Sequence, residues 1–293
     1  MRFLKMLIFS TLATGLVFTP HAWAQHSSLQ EPQTEIRQHF GRGYLLEEEG
    51  DLHGAIAEYR ALLRLEPNNG EWHYYLGHTL GKKGNLDGEI VEYREALRLN
   101  PSKGGWRFLL GVALEKKGDL KGAIVEYRAA LRCNVDDKDL IGLIHVNIGT
   151  ALGKQGDQQG RIAEYREAMR LNPNYDLAHS YLGLALEENG DLDGAIAEYR
   201  ALLRLNPSDD EAHSDLGVCL GEKGDLNGDI LEEREALRLN PKNDMAHFML
   251  GTALEEKGDQ HGALEQYRAA NLLKPKHAKY KQNYERLLEQ INH

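Results

Sequence analysis

The sequence predicts an all-α solenoid of seven helix pairs closed by a C-terminal capping helix, and three observations predict it. Glycines at Gly43, Gly77, Gly111, Gly149, Gly183, Gly217 and Gly251 are spaced by 34, 34, 38, 34, 34 and 34 residues, and a second series, Gly50, Gly84, Gly118, Gly156, Gly190, Gly224 and Gly258, follows each by seven. Pro67, Pro101, Pro173, Pro207, Pro241 and Pro275 close six of the units so defined. Within each unit apolar residues recur at helical spacing. Self-similarity of this period marks stacked repeats, each too small to bury its own apolar face.

In chain order, residues 1–24 read as an export signal: Arg2 and Lys5 give a positive start, Met6 to Phe18 an apolar stretch short for a membrane span, and Ala22-Trp23-Ala24 a small-x-small cleavage site. The mature chain is then expected to begin at Gln25 in the periplasm or the secreted space, with retention of the segment as an anchor as the alternative. No later segment is apolar enough to span a bilayer. Residues 25–35 are polar, and the seven units run 36–69, 70–103, 104–141, 142–175, 176–209, 210–243 and 244–277. Residues 278–293 place Tyr280, Tyr284, Leu287, Leu288 and Ile291 on one helical face, as a capping helix requires.

The fifth unit shows how each unit is built. Ala178, Leu182, Ala185 and Leu186 make one apolar stripe, Gly190 stands where a helix ends in a left-handed turn, and Asp191 stands where an N-cap accepts backbone N–H bonds. Ile196, Tyr199, Leu202, Leu203 and Leu205 form the second stripe before Pro207 stops it. Between Asn134 and His145 the chain is four residues longer than its counterparts, with Val135 in place of Pro. That insertion, through Lys138, predicts either an extended loop or one more helical turn, or else a local change of curvature.

These residues carry a family resemblance: helix pairs of 34 residues with "YLGLAL", a Gly-Asp turn, an Ala-Ile pair, the aromatic of "EYR" and a closing Pro resemble tetratricopeptide repeats over residues 36–277. The resemblance implies a right-handed α-solenoid and a non-enzymatic protein-binding role. One departure is systematic: the large aromatic usual in the first helix is replaced by His39, His73, His145, His179, His213 and His247, and by Arg107 in the third unit. Arg42 also occupies an otherwise apolar slot.

A second period lies inside the first. Odd units have Glu47, Glu115, Glu187 and Glu255 late in the first helix and Ala55, Ala123, Ala195 and Ala263 early in the second, whereas even units have Gly81, Gly153 and Gly221 against Glu89, Arg161 and Asp229. Packed interiors tolerate neither overlap nor voids. Glu89, Arg161 and Asp229 are therefore expected to lie over Gly81, Gly153 and Gly221.

Several signals resemble chemistry without requiring it. The histidines are one repeat apart, too far for shared zinc coordination at about 2.0 to 2.1 Å, and are expected to hydrogen-bond between helices. The "DLDG" turns lack the remaining ligands of a calcium loop. Cys133 and Cys219 stand three units apart, beyond the reach of a disulfide, and are expected to be buried thiols. No cofactor and no metal site is expected, and no nucleophile–base constellation suggests an enzyme.

Charge limits the partner. The net charge of -10 becomes -12 once Arg2 and Lys5 are removed (-10 minus 2), which disfavours nucleic acid. The resemblance places the lining of a concave partner-binding groove at Tyr44, Tyr74, His78, Phe108, Val112, Val146, Thr150, Ser180, Leu184, Ser214, Val218, Phe248 and Thr252, with Glu47, Glu48, Glu187, Glu188, Glu222, Glu255 and Glu256 as an acidic rim. Tyr74, Phe108 and Phe248 either line this groove or pack against adjoining repeats. The expected guest is a peptide or helix of a protein partner, apolar with basic edges. A self-associating structural protein of the cell envelope is the alternative.

Overall fold

The computed structural model describes residues 30–133 and 137–292. The export-signal reading of residues 1–24 and the residues Asn134 to Asp136 lie outside the described part. The described residues form fifteen helices, and the chain divides into two compact units, residues 1–151 and 152–293.

In the first unit the repeats pair α1 (Gln30–Glu48) with α2 (Leu52–Leu65), α3 (Gly70–Lys82) with α4 (Leu86–Leu99), and α5 (Gly104–Lys116) with α6 (Leu120–Leu131). Helix α7 (Lys138–Lys154) follows, and α8 (Gln158–Leu171) lies in the second unit. There α9 (Asp176–Glu188) pairs with α10 (Leu192–Leu205), α11 (Asp210–Glu222) with α12 (Leu226–Leu239), and α13 (Asp244–Glu256) with α14 (Gln260–Leu273). Helix α15 (Ala278–Asn292) packs on α14. Within each unit consecutive helices pack on one another from α1 to α6 and from α8 to α15, the arrangement that short amphipathic repeats need to bury their stripes.

The turn that divides each repeat follows from its residues. Gly190 has φ 80°, a left-handed conformation open to glycine, and its six counterparts have φ between 84° and 89°. Asp191 then caps α10 by accepting from Gly194 N at 3.0 Å. A Cβ on Gly194 would stand 2.7 Å from Oδ2 of the capping carboxylate of Asp191 and 3.1 Å from its accepting oxygen Oδ1, so the glycine leaves room for the cap. This accounts for a recurrent early-helix glycine that otherwise costs about 0.8 to 1.0 kcal/mol against Ala.

The core of each unit is built on second-helix tyrosines. Tyr59, Tyr93, Tyr127, Tyr165, Tyr199 and Tyr267 are buried, each beside an exposed arginine such as Arg200, so the Tyr-Arg pairs are packing elements. The sixth repeat departs from this with Glu233, fully buried and accepting from the Ser214 hydroxyl at 2.9 Å.

Two boundaries differ from the sequence reading. Helix α1 begins at Gln30, so part of the polar segment 25–35 is the start of the first helix. The four-residue insertion becomes helix: α7 has 17 residues where α3, α5, α9, α11 and α13 have 13. Four residues are about one turn.

Candidate functional site

The first helices carry every predicted site residue. Their histidines are structural ties. His73 Nδ1 meets Glu92 Oε2 at 2.6 Å and its Nε2 faces the Pro67 carbonyl at 3.4 Å. His179 repeats this with Glu198 at 2.7 Å and Pro173 at 3.0 Å, and His213 with Glu232 at 2.6 Å and Pro207 at 3.3 Å. His247 uses Gln266 and Pro241, and His39 bonds Glu58. Arg107 replaces the imidazole without changing the partners: it donates to Glu126 at 3.1 Å and to the Pro101 carbonyl at 3.1 and 3.2 Å. The hydrogen bond to Glu198 raises the His179 pKa against the burial that lowers it. Among the described residues no group of three His, Cys, Asp or Glu side chains is placed to hold a metal ion.

The alternation between repeats is a steric exchange at one place. A Cβ on Gly81 would stand 2.5 Å from Glu89 Oε2, one on Gly153 2.7 Å from Arg161 Cδ, and one on Gly221 2.5 Å from Asp229 Oδ2. Each even repeat thus delivers its charged group from the second helix into space that a glycine on the first helix leaves open. Odd repeats deliver a carboxylate from the first helix, where the core tyrosine donates to it: Tyr59 to Glu47 at 3.2 Å, Tyr127 to Glu115 at 2.9 Å, Tyr199 to Glu187 at 3.0 Å and Tyr267 to Glu255 at 2.9 Å.

The last residue of a first helix reaches back to this exchanged slot in the preceding repeat. Lys82 meets Glu47 at 2.8 Å, Lys116 acts electrostatically on Glu89, and Glu188 pairs with Arg161. Arg286 of α15 serves the last repeat, donating to both oxygens of Glu255 at 2.7 Å.

The predicted lining separates into two sets. Tyr44 is 52% exposed, and Tyr74, His78, Val112, Thr150, Ser180, Leu184, Val218 and Thr252 are half-buried on the accessible side of their helices. Phe108, Val146, Ser214 and Phe248 are buried, which corrects their assignment as open lining. The reason is packing against the second helix of the repeat and, at the end, against α15: Phe108 lies 5.7 Å from the Tyr127 ring, Phe248 lies 5.5 Å from Tyr267 and 4.9 Å from Tyr280 of α15, and Ser214 is bonded to Glu233. Tyr74 does both jobs, stacking on Trp106 at 5.2 Å and on His78 at 6.2 Å while keeping an accessible edge. Burial lowers the His78 pKa, favouring the neutral imidazole. An open cleft of about 350 Å³ in the second unit gathers Thr252, Glu255 and Glu256 from α13 with the edge of Phe248, walled by Lys279 and Asn283 of α15.

Family models described as "Tetratricopeptide repeat" match residues 92–137, 146–210, 183–244, 234–276 and 73–103, and one described as "TPR repeat" matches 43–84. The chain belongs to the tetratricopeptide repeat family. Solved structures agree on the fold. A C-terminal part of a TPR repeat-containing protein from Cytophaga hutchinsonii has a TM-score of 0.69 at 15% identity, covering 84% of this chain and 98% of that one. A tetratricopeptide repeat protein from Parabacteroides merdae has a TM-score of 0.62 at 14% identity, covering 87% and 99%. YrrB, described as a TPR protein with an unusual peptide-binding site, has a TM-score of 0.54 at 20% identity, covering 68% and 97%. A comparison with curated proteins finds no match.

Three features of this tetratricopeptide repeat protein escaped the sequence reading. Trp106 extends the aromatic patch around Tyr74, Glu233 replaces a core tyrosine, and the reach-back between repeats joins residues 27 or 35 positions apart. Aligning the sixth unit on the others would have found Glu233, since "EER" stands there for "EYR". Among the described residues no helix is long and apolar enough to cross a membrane.

Proposed function

We propose that this protein is an exported, non-enzymatic adaptor of the periplasm or secreted space that holds an apolar peptide or helix of another protein, with basic residues at its edges, against its first-helix faces. The observation that carries this reading is the accessible slot shared by Tyr44, His78 and Val112 in the first unit and by Leu184, Val218 and Thr252 in the second, bordered by carboxylates. Apolar to mildly polar side chains left partly or largely exposed at one position of successive repeats are what a ligand surface needs, because such a row adds little to the core. The cleft at Thr252 supports it, as does the peptide-binding site named for YrrB.

The test has two parts. Fractionation with N-terminal sequencing of the natural protein should find it outside the cytoplasm and starting at Gln25; a cytoplasmic, unprocessed chain would refute export. Crosslinking in that compartment should capture a partner that is lost on Leu184→Asp and Val218→Asp without loss of helicity. A partner retained by both variants would refute the face. Self-association is the second reading, favoured by Val91 and Val125, each 60% exposed in the same slot of α4 and α6. Light scattering showing size growth with concentration, abolished by Val91→Lys and Val125→Lys, would select it.

A further inference from the structure

The second helices of the first unit carry a repeated outer face that neither the core nor the first-helix row uses. Two arginines one turn apart, Arg60 and Arg64 in α2, Arg94 and Arg98 in α4, Arg128 and Arg132 in α6, are all exposed. One turn before each pair stands a small apolar residue on the same helical face, and two of these, Val91 and Val125, are each 60% exposed. An arginine at a helix end complements the helix dipole, which accounts for Arg64, Arg98 and Arg132. Arg60, Arg94 and Arg128 stand a turn earlier, beyond that effect. Valine is a weak helix former, so propensity does not place it at an exposed helical position.

The carboxylates of these helices are taken within the repeats. Glu58, Glu92 and Glu126 turn to His39, His73 and Arg107 of the first helices. Glu95 is held by Arg98 through hydrogen bonds of 2.7 to 3.0 Å, and Asp87 is paired with Lys117. In α2 and α6 the slot of Glu95 is occupied by Ala61 and Ala129. Among the described residues Arg60, Arg64 and Arg94 form no ion pair. An open depression of about 480 Å³ runs along α4, lined by Val91, Arg94, Glu95 and Arg98 with His73 and Glu92. Most of the chain's net negative charge lies in the second unit, so the first is close to neutral and this face of it is locally positive.

We propose that the outer second-helix face of the first unit docks on a bilayer containing anionic phospholipid, with the arginines on headgroup phosphates and Val91 and Val125 entering the boundary between headgroups and acyl chains. Guanidinium groups bind phosphate through paired N–H donors. Exposed apolar side chains in line with basic ones are what an interfacial surface combines. A nucleic acid strand calls for aromatic rings beside the arginines, and the accessible rings of this unit, Tyr44 and Tyr74, stand on first helices. An acidic peptide would use the arginines but gives the two valines no role. At physiological salt, charges farther than about 8 Å are largely screened, so the local sign of the face decides the contact. This goes beyond the adaptor reading, because it leaves the first-helix face to a protein partner.

The experiment is co-sedimentation with vesicles of the chain from Gln25, which contains every helix described and lacks the apolar Met6 to Phe18 stretch that could tether it. Vesicles of phosphatidylglycerol mixed with phosphatidylcholine bind it, and vesicles of phosphatidylcholine alone do not. Each basic side chain at an anionic surface is worth roughly fivefold, so Arg60→Gln/Arg64→Gln/Arg94→Gln weakens binding roughly a hundredfold, at an unchanged melting temperature. Lys242→Gln/Lys276→Gln/Lys281→Gln makes the same change of charge in the second unit and leaves binding within about threefold. Val91→Ser/Val125→Ser weakens it roughly tenfold, while Leu184→Asp/Val218→Asp, which tests the adaptor face, leaves it unchanged. Equal binding to the two kinds of vesicle, or equal loss in the two charge variants, overturns the membrane face. Duplex DNA or polyglutamate bound as tightly as the vesicles, and insensitive to Val91→Ser/Val125→Ser, would reassign the arginines to a soluble polyanion and overturn it as well. Growth in size with concentration that shuts out the vesicles would give the face to a second copy of the chain.

Discussion

Asp229→Asn should make the protein more stable, and increasingly so as pH rises. Burial, then Glu256 and Asp225, push the Asp229 carboxyl up to about 7, against about 3.9 for an unfolded aspartate. A folded-state pKa above the unfolded one means that the native chain holds the proton more tightly. The stabilisation it brings is complete below about pH 3.9 and is lost as pH rises through about 7. A shift of about three units corresponds to about 4 kcal/mol over the whole span, and the loss between about pH 6 and pH 8 is about 1.4 kcal/mol. For a chain of this size that moves the melting temperature by about 3 to 5 °C. Trp72 and Trp106 both report on the first unit, so the assay is far-ultraviolet circular dichroism, comparing wild type with Asp229→Asn across that range. His179, whose pKa is raised mainly by Glu198, loses stability in the same direction with pH but does so in both proteins and cancels in the difference. Parallel pH profiles for the two proteins would refute the reasoning.

Three further outcomes follow from the packing. Gly81→Glu alone drives a second carboxylate into the space of Glu89 and should cost about 1 to 3 kcal/mol, whereas Gly81→Glu with Glu89→Ala rebuilds an odd repeat and should restore stability to within about 1 kcal/mol, read by tryptophan fluorescence in urea. Arg107→His should be nearly neutral, since other repeats bond the same two partners with histidine, while Arg107→Ala should cost about 1 kcal/mol in the same assay. A thiol reagent should modify Cys133 in the native state and Cys219 only on unfolding, because Cys219 is fully buried and burial pushes its thiol pKa up; rapid modification of both would contradict this.

Much of the fold was legible because each repeat states its own boundaries. The left-handed glycine, the capping aspartate and the stopping proline act within a few residues of one another, and seven copies average out the exceptions. The exchange of Glu89 with Gly81 was legible too, since two slots equidistant from a turn between antiparallel helices must face each other. The orientation of Phe108 and Phe248 was not. Both occupy a first-helix position whose direction is decided by the ring of the second helix, and spacing alone assigns the same slot to half-buried Tyr74 and Ser180. The reach-back contacts were hidden for another reason: the exchanged slot shifts by eight residues between odd and even repeats, so partners stand 35 apart in Glu47–Lys82 and 27 apart in Arg161–Glu188. No single period reveals such a set.

The Asp229 carboxyl can also be probed from across the helix pair, by Glu256→Lys. A lysine there stands to Asp229 as Lys116 stands to Glu89, where it pulls the carboxyl down against burial. A cation at that position should stabilise the chain at neutral pH, because it replaces the charge that, with burial, raises the Asp229 carboxyl. Net charge alone is controlled by Glu265→Lys, which alters the same total on an exposed face of α14. Thermal melting of these two proteins against wild type separates the local coupling from the change in net charge. Stability that falls on Glu256→Lys would mean that Glu256 is not repelled by Asp229, and the electrostatic reading of this face would be wrong at its root.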